Sequence, residues 1–406
     1  MNKKTNLINF LDKTIFNNFY FVLFYLAVNF CFVSILKEVP MINLISKMAL
    51  LWGILLSIYH FFIIVKRKIE ISELIIYFFL CFTLFLNIIF YRTGENLKIW
   101  IVNCIMLTSV FYINKDKTKD ALETELRILS NFTIVFTFIL SLISTIMYIS
   151  KLSITVSDTV YGANQGLYVY KNTLAIAAAI SLILSLYCYF IETSNKIKIF
   201  YIVNIVLQLI NVFYSKGRSA LLILLAIPFV IIYLYVKNTI FRCSIILVPA
   251  ALCIGLFAKF HDKLYDFLSA RNELWYSAYL LFKDNLFKGV GNSSMVEKVY
   301  SMRPGVILPG IEDGGLHNIY LQMITSNGIL SLIIFLAFIC FVIYNITIKI
   351  DVLSGKEKLA ASSLLILVFG ILFVNVFESN LIYISSFISI IFWYVLGIIY
   401  NLYTKK

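Results

Sequence analysis

Residues 316–347 read LHNIYLQMITSNGILSLIIFLAFICFVIYNIT, without a single Lys, Arg, Asp or Glu. A bilayer core about 30 Å thick is crossed by roughly 20 apolar helical residues, so this run is long enough to span a membrane. In hydrocarbon each backbone polar group must be satisfied internally, which makes such a run a helix. Similar runs recur near 16–36, 41–65, 71–91, 97–114, 129–150, 172–191, 197–214, 219–236, 239–258, 358–377 and 380–400. With 316–347 they predict about twelve transmembrane helices and an all-α polytopic membrane protein, a single integral membrane domain over 1–406. Composition agrees: 61% of the 406 residues are hydrophobic and 14% charged, too apolar for a soluble domain of this length.

Lysine and arginine set the expected orientation, because short loops rich in them stay on the cytoplasmic side. Taking the termini and alternate loops as inside collects nineteen cations, among them Lys3, Lys4, Lys66, Arg67, Lys117, Lys119, Arg127, Lys237, Arg242, Lys356 and Lys406, against eight in the other short loops. Both termini are therefore expected in the cytoplasm of a multi-pass protein of the cytoplasmic membrane. The net charge of +13 follows from this bias, and no nucleic-acid partner is read from it. The first apolar run follows Lys3, Lys4 and Lys13 and is too long for a signal-peptide core, so it reads as an uncleaved helix. The cysteines all fall in apolar runs without metal-ligand spacing, so neither a disulfide framework nor a metal is expected.

The interruption in this pattern is the polar stretch 259–315, expected as a long extracytoplasmic loop between helices nine and ten. Within it Leu274, Trp275, Ala278, Leu281 and Phe282 follow Arg271 at helical spacing, which predicts an amphipathic helix lying along the outer membrane surface. No inner loop is long enough for a nucleotide-binding unit, and neither GxxxxGK[ST] nor GxGxxG occurs. Any transfer chemistry must then use a donor that arrives already activated, and no cofactor is expected. A lipid-linked diphosphate fits, since its tail can stay in the membrane while the loop holds its head.

Displacing a diphosphate from a sugar needs cations or strong donors at the leaving oxygens and a base for the incoming hydroxyl. Arginine suits the first task because its planar fork binds phosphate bidentately. Lys216 and Arg218 lie in a tight polar break, Tyr214-Ser215-Lys216-Gly217-Arg218-Ser219, at the side expected to be poor in cations. A snorkelling loop charge is the simpler reading of that pair and a surface arginine that of Arg271, but a bound anion would satisfy all three. His317, with Asn318 beside it, opens the tenth helix and is the candidate base, against the plainer reading of a capping residue. Glu312 and Asp313, in a Gly-rich turn just upstream, are solvated turn residues or orient His317 or the acceptor.

Taken in order, Ser215-Lys216-Gly217-Arg218-Ser219-Ala220-Leu221-Leu222, Arg271 with Trp275, Lys288-Gly289-Val290-Gly291, His317-Asn318-Ile319-Tyr320-Leu321-Gln322 and Asn327-Gly328-Ile329-Leu330 resemble the O-antigen polymerase and ligase superfamily. Upstream, Tyr161-Gly162 and Lys171-Asn172-Thr173-Leu174-Ala175 are similar to the segment that opens a helix after that family's earlier external loop. The resemblance implies a metal-independent, inverting glycosyl transfer on the outer face from a sugar chain on undecaprenyl diphosphate. By motif, Arg218 and Arg271 would hold the diphosphate and His317 would activate the acceptor. The motifs do not separate polymerase from ligase; within the family the first reading is a polymerase of polysaccharide repeat units, O-antigen or capsule, with a chain-length regulator and a flippase as candidate partners. The nearest alternative is a ligase. A flippase, from a different class, would place ionisable residues near the membrane midplane, whereas here they gather at helix ends and in the outer loop.

Overall fold

The computed structural model describes residues 14–404 except 65–66, 68, 114–116, 158, 239, 243, 246–267, 269, 309 and 312–314. The apolar runs fold as helices: α1 (Asn18–Phe32), α2 (Ile42–Ile64), α3 (Ile71–Leu86), α4 (Gly94–Cys104), α5 (Lys119–Ile149), α6 (Lys171–Ile191), α7 (Asn195–Tyr214) and α8 (Leu221–Tyr235). The polar stretch contributes α9 (Arg271–Asp284) and α10 (Asn292–Met302), then come α11 (Ile319–Asn327), α12 (Ile329–Asp351), α13 (Gly355–Val374) and α14 (Phe387–Thr404). Helices α3 and α4 each run on into a π-helical turn, Asn87–Tyr91 and Ile105–Val110. Departing from helix is a short antiparallel hairpin, β1 (Ile154–Val156) with β2 (Thr159–Tyr161), in register Ile154 to Tyr161. Among the described residues nine helices are long and apolar enough to cross a membrane, and α1 is a shorter apolar helix. Of the ninth expected run, 239–258, only 240–242 and 244–245 are among the described residues.

Three helices form the interior. In α6, α13 and α14, 78%, 72% and 83% of the membrane-length window is buried, as expected of helices that are apolar all round. Buried Ala175, Ala177, Ala178 and Ala179 let neighbours approach α6 closely. Between α5, α6 and α7 runs a polar ladder. Thr137 Oγ1 donates to Ser181 Oγ at 2.6 Å, Ser141 Oγ to Gln208 Oε1 at 2.8 Å, Asn204 Nδ2 to Ser181 and Ser185 at 3.1 and 2.7 Å, and Asn211 Nδ2 to Thr145 Oγ1 at 3.0 Å, while Tyr214 continues it within α7 by donating to Asn211 Oδ1 at 2.6 Å. Such bonds contribute about 0.6 kcal/mol each between membrane helices. The ladder ends at Tyr214, so it fixes the end of α7 from which Lys216 and Arg218 project.

The tenth expected helix, 316–347, is two helices. Gly328 breaks it with φ 79°, and a Cβ there would stand 2.1 Å from the Phe287 carbonyl oxygen. The amide of Ile329 instead donates to Leu286 O at 2.9 Å. Helix α11 packs on α9 and α10, whereas α12 packs on α3 and α14 of the bundle. The polar interruption therefore extends beyond 315, and His317 stands at the start of a short helix that belongs to the loop layer.

The amphipathic helix of the loop exists, but its apolar stripe does not lie on the membrane. Leu274, Ala278 and Leu281 are buried with Val290, Met295, Val299, Leu308, Ile311 and Leu316 in a small core separate from that of the bundle. Protein packing excludes water from these side chains without help from lipid. Helices α9, α10 and α11 thus form a cap over one end of the bundle.

Candidate active site

The cap and the bundle enclose a cavity of about 230 Å³ whose described lining includes Lys171, Asn172, Lys216, Arg218, Arg271 and Phe377. A single water needs only about 10–15 Å³ on such a measure, so there is room for a much larger group. Four cations line it and, among the described lining residues, no carboxylate does.

Local backbone conformation brings these side chains together. Lys216 has φ 56°, in the left-handed region, where a residue other than glycine stores about 1–3 kcal/mol of strain. The next residue, Gly217, lies so close to α6 that a Cβ would meet Ala175 Cβ at 2.4 Å and Lys171 O at 3.3 Å. The absence of a side chain lets the Lys216–Arg218 turn sit directly on the first turn of α6, next to Lys171 and Asn172. Ala270 (φ 60°) and His317 (φ 48°) repeat the left-handed conformation beside or at the other site residues.

Arg271 opens α9, and only 17% of its side chain is exposed. Its Nη1 donates to the carbonyl of Phe377, and its Nη2 lies 3.6 Å from Glu378 Oε1. Trp275, one turn along, donates Nε1–H to Leu316 O at 2.8 Å and lies with its ring centroid 5.8 Å from that of Phe377. The sequence pairing of Arg271 with Trp275 thus has a structural meaning: the indole pins α9 to the segment that carries His317.

His317 is held through one ring nitrogen and faces a carboxylate with the other. Nε2 is 3.0 Å from Gly310 O, and since a carbonyl can only accept, Nε2 carries the proton there. Nδ1 faces Glu378 Oε2 at 3.7 Å. That separation is too long for a direct hydrogen bond, yet an oxygen placed beside the pair could contact both at about 2.8 Å. Gly310 has φ 79°, and a Cβ on it would stand 2.7 Å from His317 Nε2.

Glu378 joins the parts. Its Oε1 accepts from Asn172 Nδ2 at 3.3 Å and neighbours Arg271, its Oε2 faces His317, and its backbone carbonyl accepts from Ile319 N at 3.1 Å. One carboxylate, only 12% exposed, thus touches α6, α9 and the start of α11. It stands in the connector from Asn375 to Ser386 between α13 and α14. The expected runs 358–377 and 380–400 leave it as part of a two-residue turn, whereas α14 starts only at Phe387. Glu378, Lys171, Asn172 and Phe377 are the site residues absent from the sequence-derived set. The available signal was the polar break Glu378-Ser379-Asn380 between two apolar runs, together with Lys171-Asn172 in the second motif segment.

The structure therefore brings together Lys216, Arg218, Arg271 and, through Glu378, His317. Asn318 serves as N-cap of α11, its Oδ1 accepting from Leu321 N at 2.9 Å while its own amide donates to Ser379 Oγ at 3.2 Å. Glu312 and Asp313 lie outside the described residues. Among the described residues no group of three or more His, Cys, Asp or Glu side chains could hold a metal ion.

Residues 203–336 match the family model described as O-antigen ligase. The match takes in Lys216, Arg218, Arg271, the Lys288–Gly291 motif and His317, and it bears out the resemblance to the O-antigen polymerase and ligase superfamily. It ends before Glu378 and begins after Lys171 and Asn172. No curated protein matches the chain.

Proposed function

We propose that the chain is a glycosyltransferase that joins oligosaccharide repeat units carried on undecaprenyl diphosphate, on the outer face of the cytoplasmic membrane. The observation that carries this reading is the cavity itself: four cations around a space of about 230 Å³, next to a histidine and a carboxylate that face each other across 3.7 Å. Like charges gathered in a partly enclosed space repel one another, and a diphosphate offsets that repulsion with charge-assisted hydrogen bonds.

In this reading Arg218, Lys216 and Lys171 hold the diphosphate from the bundle side and Arg271 from the cap side. As the anomeric carbon–oxygen bond breaks, charge grows on the leaving diphosphate, and the fixed cations stabilise it without reorganising. The acceptor hydroxyl sits between His317 Nδ1 and Glu378 Oε2, where its proton has two places to go. Attack from the face opposite the leaving group inverts the anomeric centre. Glu378 also holds Arg271, so the leaving-group clamp and the base share one support.

Purified protein given only a lipid-diphosphate-linked repeat unit, without nucleotide-sugar and with chelator present, should yield longer lipid-linked chains and free lipid diphosphate. His317→Ala should lower the rate by at least the ~10²-fold typical of losing a general base. The description of the matched family favours a second reading, transfer of a finished chain to another acceptor. Chain transfer to a non-repeat acceptor without elongation would establish it. Transbilayer movement of an intact lipid-linked unit, with no new bond, would overturn both.

A further inference from the structure

Several apolar side chains of the cap stand outside its own core, Ile307, Tyr276 and Tyr279 among them, and two stand side by side in a single turn. In the turn joining α9 to α10, Phe287 is 73% exposed and Leu286 40%. The turn is nonetheless firmly held. Gly289 N donates to Asn285 O at 2.9 Å, Ile329 N to Leu286 O at 2.9 Å, and the Tyr91 hydroxyl bonds to the carbonyls of Lys288 and Ser326. Gly328 has no Cβ, which allows the close approach of the Phe287 carbonyl. Phe287 is thus presented outward by a fixed backbone rather than left there by a loose one.

Its surroundings identify the medium it meets. The turn rests on the ends of two membrane-length helices, since Tyr91 closes the π-helical extension of α3 and Ile329 opens α12. Along these helices Phe85, Ile88 and Phe90 on one, and Leu330 and Ile333 on the other, point outward. Such a contiguous apolar surface on membrane-length helices faces hydrocarbon. Phe287 extends this belt at the level where the helices end. Lys288 follows at once, with its ammonium 5.8 Å from the Phe90 ring centroid. An aromatic residue beside a lysine at the end of a span is the usual pattern of a membrane–water boundary.

We infer that the Leu286–Lys288 turn docks the cap onto the bilayer that holds the bundle, with Phe287 entering the edge of the hydrocarbon and Lys288 meeting the lipid phosphates. The amphipathic helix expected to lie on the membrane is occupied with the cap core, and the turn after it makes the lipid contact instead. This contact would fix the cap half of the cavity, Arg271 included, at a set height over the bundle half. The inference rests on the chain's spanning a membrane and is independent of the transfer reaction.

The test uses full-length Phe287→Trp protein in lipid nanodiscs and reads the emission added to that of the four native tryptophans. Phospholipid brominated on its acyl chains should remove most of the added emission, and aqueous iodide should leave it largely intact. Quenching by iodide with none by the brominated lipid would place the side chain in water and overturn the inference. If this variant does not fold, the wild-type protein with a phospholipid carrying a photoreactive acyl chain decides. Adducts on Leu286 or Phe287 support the docking, and adducts confined to the bundle helices reject it. Neither readout involves sugar transfer, so failure here leaves the proposed reaction standing, and the reverse holds too.

Discussion

At the end of the bundle away from the cap, Arg67, Lys119, Arg127 and Arg242 each meet a carboxylate, those of Glu73, Glu357, Glu192 and Asp351 respectively. At the cap end Lys171, Lys216, Arg218 and Arg271 line one cavity, and Glu378 is shared among Arg271, His317 and Asn172. The pairs at the first end close helix ends against one another: Arg242 to Asp351 at 2.7 Å ties the segment after α8 to the end of α12. A protein that needs cations only for stability has no reason to collect them on one side of a void, where each raises the cost of the next. On the proposed function, the difference separates charge used to hold helices from charge kept for an anion that comes and goes.

The largest test of the comparison is all-or-none. If the two ends lie on opposite sides of the membrane with the cap outside, a cysteine at Lys298 in α10 should react with an impermeant thiol reagent added to intact cells. One at Ser354, between α12 and α13, should react only after permeabilisation. Labelling of both from outside would remove the distinction between the ends.

Next, Arg218→Ala and Arg271→Ala should each lower elongation by about 10²–10³-fold, the usual loss when one fixed donor to a developing anion is removed. Lysine at either position should rescue poorly, because it lacks the bidentate fork. Arg242→Ala should behave oppositely, with a lower Tm in detergent and an unchanged rate per folded molecule. Activity loss in Arg242→Ala at full stability would erase the contrast.

A smaller effect is expected of Glu378→Gln, which keeps the side chain's shape and its bond from Asn172 but removes the charge facing His317 and Arg271. Its rate loss should not exceed the ~10²-fold assigned to His317, and His317→Ala in that background should cost less than in the wild type. Fully additive losses would show that the two residues do not act together.

The smallest effect belongs to the other end. The amides of Ser194 and Thr193 donate to Glu192 Oε1 at 2.9 and 2.8 Å, and with Arg127 they hold its carboxyl below the usual glutamate range. A depressed carboxyl contributes stability above the usual glutamate pKa of about 4.3, and that contribution is lost as pH falls through the depressed value. Glu192→Gln should therefore melt lower than the wild type at neutral pH, and the gap should narrow on acidification. A gap that is constant with pH would mean that the carboxylate charge contributes nothing.

The bundle was readable from residue order because hydrocarbon leaves a spanning segment one choice of structure. Uninterrupted apolar length is therefore enough to mark a helix, and polar breaks such as Ser215–Arg218 mark its end. The same rule misleads at 316–347, where Gly328 splits a run that hydropathy joins. That break depends on the Phe287 carbonyl, a contact made by another segment. Likewise the spacing of Leu274, Ala278 and Leu281 announced an amphipathic helix but not the partner of its apolar face. Lipid and a protein core satisfy the same side chains, and only the neighbouring cap residues decide between them.

The site divides in the same way. Residue type and local context pointed to Lys216, Arg218, Arg271 and His317, since cations and a lone histidine at helix ends are conspicuous in an apolar chain. That the three cations line one cavity, and that Glu378 links Arg271 to His317, was decided by tertiary structure. Glu378 lies far along the chain from each of its partners except in space. A carboxylate has no local periodicity to mark its role, and its meaning comes from what the packing of α6, α9, α11 and the α13–α14 connector places within reach of its two oxygens.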